Sequence, residues 1–133
     1  MLVILTACLA WAVLSWLGVG GGSHKDFFEA NWAEYQRVAD ESIARARSAG
    51  LQNSDIQYRL AAREARLSDG GHVWVRERSG RGYWVTFFRV RGLVGSGTML
   101  LYCSSETWTA SEVAEFFDEV EPLGDGWYLT REY

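Results

Sequence analysis

Few residues in this chain have the types and spacing that chemistry needs. The two histidines are His24, just after a long apolar run, and His72, at the head of a strand-like segment. Neither has a second ligand at a metal-binding interval. Cys103 sits in the apolar stretch 98–104, where a thiol usually serves as inert packing. A Cys103/His72 pair across a sheet would supply a nucleophile and a base, but no third residue is spaced to orient them. Gly92, Gly95 and Gly97 do not form a phosphate loop, because no Lys-Ser/Thr follows and the next element is a strand. Glu112, Glu115, Asp118, Glu119 and Glu121 read as the polar side of an amphipathic helix. The expectation is a protein that is not an enzyme, with no catalytic residue, no metal and no cofactor.

Arginines interleaved with aromatic residues are the richer pattern. Residues 71–104 carry a net charge of +4, residues 105–133 a net of −7, and residues 23–70 a net of −1. Segments 72–78 and 83–91 flank Ser79-Gly80-Arg81-Gly82, which reads as a tight hairpin. With Gly80-Arg81 as a two-residue turn, Arg78 faces Tyr83, Arg76 faces Val85 and Trp74 faces Phe87. Alternation then places Val73, Val75, Trp84, Phe88 and Val90 on a core face, joined by Met99, Leu101 and Cys103. The opposite face holds Trp74, Arg76, Arg78, Tyr83, Val85, Phe87, Arg89 and Arg91, with Leu100 and Tyr102 beside them. From this face Trp74, Arg76, Arg78, Tyr83, Phe87, Arg89 and Arg91 are the expected partner-binding residues. Such a surface suits an anionic partner, although arginine stems also cover rings on ordinary half-exposed sheets. No nucleic-acid motif is present and the chain is acidic overall, so nucleic acid is not an expected partner. Nor is a small-molecule substrate.

The elements that must position these residues follow from pattern. Ser23 reads as an N-cap, and Phe28, Trp32, Tyr35, Ala39, Ile43 and Ala46 recur at helical spacing up to Gly50. Ser54 with Gln57 resembles a capping box, predicting a second helix that runs to Leu67 and stops at Asp69-Gly70-Gly71. Three strands follow, over 72–78, 83–91 and 98–104. Thr109 with Glu112 is a second capping box, and Trp108 can staple onto Val113. That helix is expected to bury Val113, Phe116, Phe117 and Val120 and to end at Pro122. A last strand covers 127–132. The expected fold class is α+β: two helices, a three-stranded antiparallel meander, a helix and a final strand. Residues 23–133 are too few for more than one ordinary core.

Residues 2–22 contain no charged side chain, and this length of helix spans a bilayer core. A single transmembrane anchor over 1–22 is therefore expected. Trp16 would sit at the membrane interface. Cys8, Ala12 and Ser15 fall on one helix face, where small residues let another membrane helix approach. A cleaved signal is the rival reading, but no basic residue precedes the run. Leu5-Thr6-Ala7-Cys8 resembles a bacterial lipobox, yet the apolar run continues beyond it. Lys25 taken alone favours a cytoplasmic domain, but a domain of this size can translocate regardless. A single-pass protein of a bacterial inner membrane is expected, its domain leaning to the extracytoplasmic side. Twelve Arg against one Lys suit a GC-rich genome.

The function expected from these features is that of a membrane-anchored accessory subunit. It would bind within or beside a larger membrane-protein complex and perform no chemistry. The alternative is a tethered module of the immunity or inhibitor kind, contacting one protein target through its acidic C-terminal helix.

Overall fold

The computed structural model describes residues 23–91 and 96–133; the side chains of Ser23 and Arg91 fall outside the description. Helix α1 spans Ser23–Ala30 and α2 spans Trp32–Ser48. Strand β1 covers Asp55–Arg59, a 3-10 helix Ala62–Leu67, β2 His72–Glu77, β3 Tyr83–Arg91 and β4 Gly97–Cys103. Helix α3 covers Ala110–Ala114, β5 Glu119–Gly124 and β6 Trp127–Glu132. Between α1 and α2 the Asn31 amide donates to the Phe27 and Phe28 carbonyls, and its side chain donates to Phe27 at 2.8 Å. The chain divides there into compact units, Met1–Asn31 and Trp32–Tyr133.

The second unit is built on one six-stranded antiparallel sheet in the order β1-β2-β3-β4-β6-β5. Cross-strand partners share a face, which sorts the residues directly. Val73 pairs with Phe87, Val75 with Val85, Leu100 with Leu129 and Tyr102 with Trp127. Helix α2 buries its Tyr35, Val38, Ala39, Ile43 and Ala46 stripe on this side. The Tyr35 ring meets Phe87 and Trp127 edge-on at 5.0 and 5.9 Å, and its hydroxyl donates to the Leu67 carbonyl at 2.7 Å. Burial pushes the Tyr35 phenol up to about 12, opposed by the nearby Arg89. The opposite sheet face is covered only in part. There Trp84, Leu101, Cys103 and Tyr128 pack with Val113, Trp108 and Phe117.

The single helix expected from Ser23 to Gly50 breaks at Asn31, leaving Trp32 exposed. Six strands replace the expected meander with its single added strand, so the fold expected above is corrected in three further places. The segment 54–67 is not one helix. Ile56 and Tyr58 alternate with Asp55, Gln57 and Arg59, so a strand period fits as well as a helical one. Pairing with Val75 and Val73 decides for the strand, and only 62–67 turns, as a 3-10 helix ending on the fully buried Leu67. The capping box at Thr109 and Glu112 does form, but α3 ends at Ala114. The Asp118 amide then bonds to the Arg131 carbonyl and draws the chain into β5. Pro122 lies on this strand, which is an edge, where a missing donor is tolerated. Among the described residues no helix is long and apolar enough to cross a membrane. The expected anchor falls on residues outside the description.

The third correction is the hairpin register. Glu77 pairs with Tyr83, Arg76 with Trp84 and Trp74 with Thr86, one residue away from a two-residue turn. The turn has three residues, closed by the Arg78 amide on the Gly82 carbonyl. Ser79 and Gly80 both take positive φ, at 49° and 82°. The buried Glu77 carboxylate fixes them by accepting the Ser79 and Gly80 amides, together with that of Asn53. A slip of one residue exchanges the faces of a strand.

These backbone donors, led by Asn53 and Gly80, hold the Glu77 carboxyl below the usual glutamate range. A depressed folded value stabilises the fold above the ordinary pKa near 4.5, and that contribution is lost as pH falls through the folded value. Urea unfolding of the native chain and of Glu77→Gln, followed from pH 7 to pH 3, should show a gap that narrows below about pH 4.5. An equal gap at both ends would refute this role.

Candidate functional site

The half of this sheet face that no described residue covers is a groove of about 560 Å³, within the size range of ligand-binding clefts. Alternation on β2 delivers Trp74 and Arg76, with Arg78 just beyond the strand. Strand β3 delivers Trp84, Thr86 and Phe88, and β4 delivers Met99. Phe116 and Phe117 form a wall after α3, while Asp55 and Glu132 stand toward the ends. Trp74 meets Phe88 edge-on at 6.5 Å.

The wall is held by its own network. Arg81 bonds to Glu112 at 2.8 Å, donates to the Thr107 carbonyl at 2.9 Å, and lies over Trp108 at 3.8 Å. The Trp108 indole donates back to the Arg81 carbonyl at 2.9 Å. Trp84 packs against Trp108 at 4.8 Å and against Phe116 at 5.1 Å. Arg78 rests in the corner of the last pair, 3.9 Å from the Trp84 ring centre and 4.6 Å from that of Phe116. Burial first, then repulsion from Arg76, push its guanidinium down from the ordinary arginine value. Arg76 itself is 3.9 Å from Asp55, whereas Arg78 pairs with no carboxylate among the described residues.

Three donors of this groove are buried and without an acceptor among the described residues: Trp74 Nε1, Trp84 Nε1 and Arg78 Nε. A buried donor left unpaired costs about 1–3 kcal/mol, and such groups are rare enough to need a reason. Their gathering around one groove gives that reason a location.

The structure separates the residues expected to bind a partner. Trp74, Arg76 and Arg78 line the groove. Tyr83, Phe87 and Arg89 belong to the helix side of the sheet. Phe87 is fully buried against Tyr35 and Trp127. Arg89 donates to the Arg66 carbonyl at 3.1 Å and to the Tyr35 hydroxyl at 3.4 Å. It stands at a bulge, where the β3–β4 register shifts between Phe88 and Val90. Arg47 lies over the Tyr83 ring at 5.5 Å. The Arg91 side chain and Cys8, Ala12, Ser15 and Trp16 lie outside the described residues. A two-residue turn puts Trp84, Phe88 and Met99 in a core, and a helical stripe claims Phe116 and Phe117, so pattern alone does not bring these groove residues together. Glu77 carries the missing signal, because a carboxylate two residues before Ser79-Gly80 can cap a longer turn.

His72 and Cys103 do not line this groove. The His72 ring donates from Nδ1 to the Gly70 carbonyl at 2.8 Å. Cys103 is 3 % exposed, and burial raises its thiol to about 12, against the pull of Arg78. Among the described residues no group of three or more His, Cys, Asp or Glu is arranged to hold a metal. Comparison with family models, curated proteins and solved structures finds no match to the chain.

Proposed function

We propose that the chain is a membrane-tethered binding subunit without chemistry of its own, and that its open-face groove receives a partner protein in a larger membrane complex. The observation that carries this reading is the groove itself. Its aromatic lining offers apolar area, and its three unpartnered buried donors call for acceptors from another molecule. The tether rests on the uncharged run 2–22. A contact through the acidic C-terminal segment is less favoured, because several of its carboxylates are engaged within the fold. Glu112 holds Arg81, Glu119 holds Arg131, and Asp118 accepts the Tyr133 amide.

The test is extraction of the full-length protein from native membranes in mild detergent, followed by mass spectrometry of what it retains. The native chain is expected to retain a membrane protein in stoichiometric amount, and Trp74→Ala to lose it. Recovery of the 15.0 kDa chain alone would overturn the proposal, and so would a partner that Trp74→Ala keeps.

A further inference from the structure

The groove has a direction. Arg76 stands across from Trp84, and Trp84 across from Cys103, at one end of β4. Glu132 stands across from Gly97, at the other end of β4. Those six steps along the strand amount to about 20 Å. One end therefore holds Arg76, 3.9 Å from Asp55, and Arg78, which leaves one positive charge uncompensated, and the other end holds Glu132. Between them the lining is Trp74, Phe88 and Met99, with Phe116 and Phe117 as the wall. An extended polypeptide covers about 20 Å with roughly six residues, which matches the groove better than a compact small molecule does.

Arg78 supplies the specificity. Most arginines of the domain that make polar contacts have a carboxylate: Arg37 has Glu64, Arg66 has Glu34, Arg81 has Glu112 and Arg131 has Glu119. Arg78 has two rings and, among the described residues, no anion. A guanidinium on aromatic surface keeps its planar fork of donors for a bidentate acceptor. Trp84, 4 % exposed, adds an indole N–H without a partner beside it, and Trp74 adds another. The wall over this corner is Phe116, 45 % exposed, so an acceptor can enter by turning one surface ring and without unpacking the core.

We infer that the groove binds an extended segment of the partner protein in which an Asp or Glu side chain is flanked by aliphatic or aromatic residues, and that Arg78 receives its carboxylate. This deepens the reading given under Proposed function and rests on it. Arg78 is thereby a specificity residue, and Trp74, Phe88 and Met99 supply the apolar contact area.

The experiment uses the full-length protein in detergent micelles, labelled with ¹⁵N, and follows the indole signals of Trp74 and Trp84. The probes are a capped hexapeptide of Leu and Phe with one central Glu, the same peptide with Gln, and free hexanoate. The Glu peptide is expected to shift both indole signals saturably and to bind at least about tenfold more tightly than the Gln peptide, the value of one charge-assisted contact. Hexanoate is expected to bind more weakly than the Glu peptide. Arg78→Met keeps the stem packing on Trp84 and should bind both peptides alike. The comparison of Glu with Gln on the native chain needs no variant, so it stands even if Arg78→Met misfolds. Equal binding of the two peptides would overturn the carboxylate. Hexanoate binding as tightly as the Glu peptide would overturn the peptide as occupant. If neither peptide shifts the indoles while Trp74→Ala still releases the membrane partner, this inference falls and the binding-subunit reading survives. If Trp74→Ala leaves the partner bound, that reading falls first.

Discussion

Trp127→Ala is expected to destabilise the domain by about 3–5 kcal/mol. Trp127 is 1 % exposed and stands where helix and sheet meet. Its rings lie 5.0 Å from Tyr102, 5.8 Å from Phe87 and 5.9 Å from Tyr35, so truncation leaves a cavity lined by three aromatic residues. Its indole N–H also donates to Gln36 Oε1 at 2.8 Å, a direct polar link between β6 and α2. Domains of this kind are stable by about 5–15 kcal/mol, so the loss takes a large share of the total. Equilibrium urea unfolding measures it. A change below about 1 kcal/mol would mean that the neighbours collapse into the space, which close-packed rings rarely do.

Gly126→Ala is the second large effect, and it acts on the backbone. Gly126 has φ +86°, and a Cβ there would lie 2.6 Å from the Cys103 carbonyl oxygen. That oxygen cannot withdraw cheaply, because the Cys103 amide is bonded to the Gly126 carbonyl at 2.8 Å in the same strand pair. Left-handed backbone alone costs an L-residue about 1–2 kcal/mol, and displacing the ladder brings the expected loss to about 3 kcal/mol. Gly124 is the internal control. It has φ +96°, but a Cβ there meets nothing within 4 Å, so Gly124→Ala should cost only the conformational part, about 1 kcal/mol. Thermal unfolding of both variants separates the two contributions. Equal shifts in melting temperature would show that the contact with Cys103 does not matter.

Much of the fold could be read from periodicity, and the failures have physical causes. The α2 stripe was legible because Tyr35, Ala39, Ile43 and Ala46 recur at helical spacing over a long segment. Thr109 and Glu112 were legible because a capping box is local, and it forms with both of its bonds. The box at Ser54 and Gln57 was equally good locally, but the sheet needed a partner for β2, and pairing outweighed propensity. Pattern overextends α3 because Phe116, Phe117 and Val120 also fit a helical stripe, and only the ladder to β6 shows that Val120 is in a strand. The groove was half legible. Trp74, Arg76 and Arg78 share it, whereas Tyr83 and Phe87 were placed beside them by a turn taken as one residue too short. Turn length here depends on Glu77 bonding to backbone amides, a contact that hydropathy does not register.

The strand order bears on how the domain is made. β6 comes last of the strands in the chain, yet it lies inside the sheet, between β4 and β5. Trp127, at its head, is the ring against which Tyr35 and Phe87 are packed. During synthesis the segments from α2 to β5 therefore leave the ribosome with no completed core to join. β5 in particular pairs only with β6, and must wait for a strand made after it. Completion of the sheet is therefore expected only after β6 has emerged. The apolar run 2–22 precedes every strand in the chain and so emerges before β6. Machinery that reads that run during synthesis is therefore expected to meet it before the sheet that carries the groove is complete.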